Sequence, residues 1–196
     1  MRVLITGCGR SGTLYVVEAL GQVGLRFGHE VFGADGVVDW HGLTDASLYD
    51  VILHQVREPL KTIGSCHTCA PYSWDFICQH EPRILPSDSL ILKCMKYWLF
   101  WNEQAEKVAR WTYRVEDFGN QIGRILALFG RIIDPVLLTK INAINKQTHT
   151  RKGAGNYKMV TLKDLRCADE KLAGQIINKA KTYGYGNWMI NNGGSL

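Results

Sequence analysis

The sequence is short of the features that would place a chain outside the ordinary globular class. Proline is scarce, at 5 of 196 residues, and no internal repeat or low-complexity tract interrupts the chain. No uninterrupted apolar run approaches the ~18 residues that a membrane span needs. Met1–Thr6 leads almost at once into the Gly7–Gly12 turn, unlike the longer apolar core of a signal peptide. Neither sign of charge dominates. The 23 basic residues exceed the 18 acidic ones by 5, an excess that suits an anionic small ligand and falls short of a nucleic-acid footprint. Six cysteines in a chain of this length do not make a disulfide framework. Cys8, Cys94 and Cys167 are scattered and read as small buried or half-buried residues. The hydrophobic share of 46% and charged share of 21% are those of a folded chain. The expectation is a soluble, cytoplasmic, single domain over residues 1–183, with no membrane span, no nucleic-acid partner and a frayed Gly- and Asn-rich tail over 184–196.

Hydrophobic periodicity organises the rest. Arg2–Thr6 reads as a strand buried on both faces, and Leu14, Val17 and Leu20 fall at helical spacing up to a stop at Gly24. Residues 28–50 mix Gly, Asp and His and read as loops with one short strand. Asp50–Val56 is the second clear strand, and Pro59 is placed to open a helix. Residues 67–88, with Pro71, Pro82 and Pro86, read as a surface excursion holding one short helix around Trp74–Cys78. Asp88 is a candidate N-cap for a long amphipathic helix reaching about Arg110. Trp111–Val115 is β-prone, and helices follow from Asp117 to near Gly130, over Asp134–Asn145 and over Leu162–Tyr183, with a polar loop at Lys146–Lys158. Strands alternating with helices predict a three-layer α/β fold, a small parallel sheet flanked by helices. Ligands on such sheets sit at the carboxyl ends of the strands, here the loops after Thr6, Val56 and Val115.

The loop after the first strand, Gly7-Cys8-Gly9-Arg10-Ser11-Gly12-Thr13, is suited to phosphate or sulfate oxygens. Glycines permit close backbone approach, and a helix start offers unpaired N–H groups at the positive end of its dipole. Arg10 adds a charged fork, and Ser11 and Thr13 add hydroxyls. It is not a Walker A loop, which requires Lys where Thr13 stands. Arg57-Glu58-Pro59 ends the second strand and is followed by Ser65. Arg57 at a strand end can bind phosphate bidentately, with Ser65 adding a hydroxyl from the next helix.

These two motifs, in this order, resemble the P-loop sulfotransferases. GCGRSGT is similar to the family's PRSGT or PKSGT loop for the 5′-phosphosulfate, with Gly9 in place of the usual proline, a change expected to loosen the turn. Arg57, Pro59 and Ser65 match the RxPxxxxxS pattern for the 3′-phosphate. Tyr97-Trp98-Leu99-Phe100-Trp101-Asn102 and Tyr113-Arg114-Val115-Glu116-Asp117 resemble stretches of bacterial sulfotransferase-like proteins, where aromatics at helical spacing read as core and Asp117 as a helix cap. Arg151-Lys152-Gly153 is similar to the segment that closes over the donor nucleotide. The resemblance implies a P-loop NTPase-like sulfotransferase core. It further implies sulfuryl transfer from 3′-phosphoadenosine 5′-phosphosulfate to a hydroxyl or amine of a small-molecule or glycan acceptor, with no metal required. The donor residues would be Gly9, Arg10, Ser11, Gly12, Thr13, Arg57, Ser65, Arg151 and Lys152, with Arg10 stabilising charge in the reaction. For the base that takes the acceptor proton, Glu30 in Gly28-His29-Glu30 comes first, His41 is the alternative and His29 ranks below; Asp35 and Asp39 are placed to face an acceptor.

Other readings stand beside this one. Cys66-His67-Thr68-Cys69, with Cys78 and His80, has the residue types of a zinc site, of a disulfide or of plain thiols. A kinase-like nucleotide binder would need a Mg²⁺ partner, for which Asp50 or Asp117 can be nominated. A non-catalytic module of the same fold is the third.

Overall fold

Parallel pairing builds one sheet of five strands in the order β2-β3-β1-β4-β5. The computed structural model describes residues 1–132 and 158–186. The strands are β1 (Val3–Thr6), β2 (Phe27–His29), β3 (Gly36–Val38), β4 (Val51–Val56) and β5 (Trp111–Arg114). β1 is central, and all four of its residues are buried, because helices cover both faces of the sheet. Val3 and Ile5 pack into the layer of α1 (Thr13–Gln22) and of the helix over Phe118–Leu128. Leu4, pointing the other way by strand alternation, meets Val37 and Ile52.

The second helical layer is larger. It comprises α2 (Pro59–Cys66), α3 (Pro71–His80), α4 (Leu90–Val108), and, after α5 (Phe118–Leu128), the pair α6 (Leu162–Ala168) and α7 (Glu170–Thr182). Its core includes Ile63, Met95, Trp98, Trp101, Leu165 and Ile176. The predicted α/β class, with a small parallel sheet flanked by helices, is the observed one. Among the described residues, no helix is long and apolar enough to cross a membrane.

Several local expectations change. The segment 28–50 carries two strands, β2 and β3, and a 3₁₀ segment at His41–Leu48. Two parallel strands joined through residues 30–35 require a backbone folded tightly on itself. A Cβ on Gly28 would lie 1.9 Å from the Val31 carbonyl oxygen, and one on Gly33 would lie 2.1 Å from that of Arg26. The same glycines that make the strands possible hide them from a propensity reading. The expected caps also differ. Asp117 is the N-terminal flank of α5 but makes no side-chain cap, because its carboxylate accepts from Arg114 Nε at 2.6 Å. Asp88 accepts from the Leu85 amide at 2.8 Å and Lys96 Nζ at 2.7 Å, and the helix begins after Ser89. Cys167 is exposed rather than half-buried.

The tail expected to fray from Gly184 begins instead with an anchored residue: Tyr185 is buried, and its hydroxyl donates to Glu116 Oε2 at 2.7 Å. The helix expected over 134–145, most of the polar loop after it, Arg151 and Lys152, and residues 187–196 lie outside the described residues.

Candidate functional site

The loop after β1 takes its shape from close backbone approach and two left-handed residues. A Cβ on Gly7 would sit 2.1 Å from the Gln55 carbonyl oxygen, so only glycine lets the chain leave β1 beside β4. Arg10 and Gly12 have φ of 70° and 96°. Between them Ser11 is buried, its hydroxyl accepting from Gln55 Nε2 at 2.9 Å and its amide donating to the Cys8 carbonyl at 3.3 Å. The first helical bond of α1 is Val16 N–H to the Gly12 carbonyl, so the amides of Thr13, Leu14 and Tyr15 have no partner within the helix. No acidic residue stands in this first turn. The result is an anion-ready helix start with an exposed arginine at its mouth.

Arg57 and Ser65 reach the same place. Arg57 Nη1 donates to the Arg10 carbonyl at 3.1 Å, and Arg10 Nε donates to Ser65 Oγ at 3.0 Å. Glu58, which the sequence reading left without a role, orients α2: its carboxylate accepts from the amides of Leu60 at 3.0 Å and Lys61 at 2.9 Å. With Pro59 in the first turn, this cap fixes where the helix starts and so where Ser65 emerges.

From below, α4 pins the loop. The Cys8 amide donates to Asn102 Oδ1 at 3.1 Å, and the Gly9 amide donates to the Tyr97 hydroxyl oxygen at 2.8 Å. Asn102 Oδ1 also accepts from His54 Nε2 at 3.1 Å, and His54 Nδ1 accepts from the Thr112 hydroxyl at 3.0 Å. Burial pushes His54 down to about 4, so the ring is neutral near pH 7 and holds the tautomer this network requires. Tyr97 and Asn102 are therefore core residues, as their spacing predicts, and also anchors of the anion loop. Gly9 does not loosen the turn: a Cβ there would lie 2.9 Å from the Tyr97 oxygen, so the missing side chain makes room for the anchor.

The opposite wall comes from the segment after β2. His29 Nε2 lies 2.8 Å from Thr13 Oγ1, which makes it the residue of this segment in direct contact with the loop. Glu30 stands just outside, at φ 58°, with Oε1 accepting from Trp40 Nε1 at 3.1 Å. The His41 ring lies against Trp40 at a centroid distance of 3.5 Å, tilted by 34°, and its Nδ1 lies 3.1 Å from Asp39 Oδ1. Glu30 and His41 thus share Trp40 as a support. Asp35 turns away, accepting from the Arg26 amide at 2.6 Å. The role of His29 escaped the sequence reading because only the register of β2 beside α1 brings it to Thr13.

The alternative chemistries fare differently. Among the described residues, no group of three His, Cys, Asp or Glu is arranged to hold a metal ion, so Cys66, Cys69, Cys78 and His80 do not assemble as a zinc set. Cys66 instead lies under the loop, with Sγ 3.8 Å from the Gly9 carbonyl oxygen. Of the aspartates nominated for Mg²⁺, Asp50 accepts from the Arg2 amide at 2.6 Å, at the amino end of β4, and Asp117 is held by Arg114. A groove of about 690 Å³ lined by Tyr49, Asp50, Ile52, Val108 and Arg110 lies at that same amino end, remote from the loop. Comparison with protein-family models, with curated proteins and with solved structures returns no match.

Proposed function

We propose that this chain has a P-loop sulfotransferase core that binds 3′-phosphoadenosine 5′-phosphosulfate and transfers its sulfuryl group to a hydroxyl or amine of a small-molecule or carbohydrate acceptor. The observation that carries this reading is the chain of contacts from Arg57 to Arg10 to Ser65, at 3.1 and 3.0 Å. Residues of two motifs far apart in sequence meet beside a helix start whose first amides have no partner within the helix. A singly phosphorylated ligand would need only the loop. A second cation just past β4, Arg57, and a hydroxyl in α2, Ser65, favour a ligand with a second phosphate.

In this reading the amides of the first turn of α1 and Arg10 hold the 5′ end, and Arg57 and Ser65 hold the 3′-phosphate. A bound bisphosphate exchanges the Arg10–Ser65 contact for contacts to its own oxygens. The acceptor atom attacks sulfur as the bridging phosphate oxygen leaves, and Arg10 faces the charge that develops there. Glu30 takes the acceptor proton through Oε2, the oxygen not engaged by Trp40. His29 acts through Thr13, fixing the hydroxyl at the start of the helix.

The test is conversion of the phosphosulfate donor to 3′-phosphoadenosine 5′-phosphate, followed by chromatography, with phenols, amino sugars and sugar alcohols as acceptors. The expected result is nucleotide product in equal amount with a sulfated acceptor. Transfer of phosphate from ATP to the same acceptors would contradict the assignment.

A further inference from the structure

Cys66 lies beneath the anion loop and one turn before Cys69, and its thiol neighbours those of Cys8 and Cys69. Cys8 belongs to the loop itself. Cys66 ends α2, follows Ser65 directly, and donates its thiol toward the Gly9 carbonyl at 3.8 Å. Just past the helix end, the Thr68 hydroxyl donates to the Ser65 carbonyl at 2.8 Å and the Cys69 amide to the Cys66 carbonyl at 3.0 Å. This turn sets the two cysteines of Cys66-His67-Thr68-Cys69 on one side of the backbone.

We propose that Cys66 and Cys69 are a redox couple, closed to a disulfide by hydrogen peroxide or an organic hydroperoxide, and that closing it loosens the Gly7–Thr13 loop. The inference does not depend on what the loop binds.

Accessibility sets the order of events. Cys66 and Cys8 are buried and Cys69 is partly exposed, so the oxidant meets Cys69 first. Its hydrogen bond to Cys66 and its burial hold that thiol protonated, and Arg10 works in the opposite direction. The reduced pair is therefore stable at rest and oxidises slowly. Cys69 sulfur attacks the peroxide, breaking the O–O bond, releasing water (or an alcohol from an organic hydroperoxide) and leaving a sulfenic acid. Cys66 sulfur then displaces the sulfenic oxygen as a second molecule of water. The two sulfurs together lose two electrons, and the peroxide gains them.

The structural consequence follows from what Cys66 gives up. A disulfide holds its sulfurs at ~2.05 Å, so closing it draws the Cys66 side chain away from the loop and toward Cys69. Cys66 also loses the thiol proton it offers to Gly9. Ser65, one residue earlier, carries the Arg10 contact, so a change at Cys66 acts on the loop beside a second point of its support.

The experiment uses the full chain in a Cys167→Ser background, which removes the exposed thiol. Reduced and peroxide-treated samples are compared by fragmentation mass spectrometry and by hydrogen–deuterium exchange over Gly7–Thr13. The expected results are a Cys66–Cys69 disulfide that dithiothreitol reverses and exchange of the Cys8 and Gly9 amides about tenfold faster. Adding Cys69→Ser, a change at a partly exposed position, should abolish both. Oxidation at Cys78 or Cys8 with Cys66 and Cys69 left as thiols, or a Cys66–Cys69 disulfide with unchanged loop exchange, would overturn the proposal. Both readouts are independent of nucleotide, so a failure to bind the donor would count against the proposed function alone.

Discussion

Arg10 Nε donates to Ser65 Oγ at 3.0 Å across 55 positions of sequence. That bond joins the loop after β1 to α2, and Arg57 closes the group by donating to the Arg10 carbonyl. In the proposed function a ligand with two phosphates uses all three side chains at once. Ser65→Ala removes a neutral hydrogen-bond partner and is expected to weaken binding of 3′-phosphoadenosine 5′-phosphate by ~3- to 10-fold. Arg57→Ala removes a charged one and is expected to cost ~10- to 100-fold. Titration of both variants against the same nucleotide checks the order.

Proton transfer separates from binding at Glu30. Glu30→Gln keeps an acceptor for Trp40 Nε1 but removes the proposed base, so turnover is expected to fall by ~10²-fold or more with nucleotide affinity unchanged. His29→Ala leaves Thr13 without its 2.8 Å partner and is expected to weaken the nucleotide complex as well. Steady-state kinetics beside direct binding distinguishes the two patterns.

His54 makes stability depend on pH. Its ring takes up a proton near 6.5 when exposed in the unfolded chain but only near 4 when buried. Between those values the unfolded chain binds the proton and the native protein does not, so stability is full above 6.5 and falls as the pH drops toward 4. The loss attributable to this group is about 3 kcal/mol. Urea midpoints for the native chain and His54→Gln, taken at pH 7 and pH 4.5, should show a smaller pH difference in the variant.

Two glycines should respond to alanine with opposite signs. In Gly7→Ala the new Cβ meets the Gln55 carbonyl oxygen at 2.1 Å, backbone that can yield only by moving β1 from β4, and a loss of about 3 kcal/mol or more is expected. Gly123 lies exposed inside α5 with nothing near its missing Cβ, so Gly123→Ala should gain ~0.5–1 kcal/mol from helix propensity. Thermal melting of each variant provides the check.

Much of this arrangement was legible in the sequence, for identifiable reasons. VLIT and VILHQV are apolar runs that only a doubly covered parallel sheet buries, and the glycines that follow the first mark the helix start proposed to bind an anion. Arg57 and Ser65 were legible because a strand end and a following helix turn are local features. What stayed hidden depended on tertiary register. His29 reaches Thr13 only because β2 lies against α1, and Tyr97 and Asn102 support the loop only because α4 crosses beneath it. Glu58 looked like a variable position between Arg57 and Pro59, and its capping role needed the actual start of α2. β2 and β3 were obscured because Gly28, Gly33 and Gly36 weaken the strand signal while permitting the close packing those strands need.

The central claim is that this loop and Arg57 together read a 3′,5′-bisphosphorylated adenosine. Calorimetric titration with 3′-phosphoadenosine 5′-phosphate, with ATP and 5′-AMP as comparators and Arg57→Ala as control, tests it most directly. The expected result is preference for the bisphosphate over both comparators, lost in the variant. Preference for ATP, or equal binding of the bisphosphate by the native chain and Arg57→Ala, would contradict it.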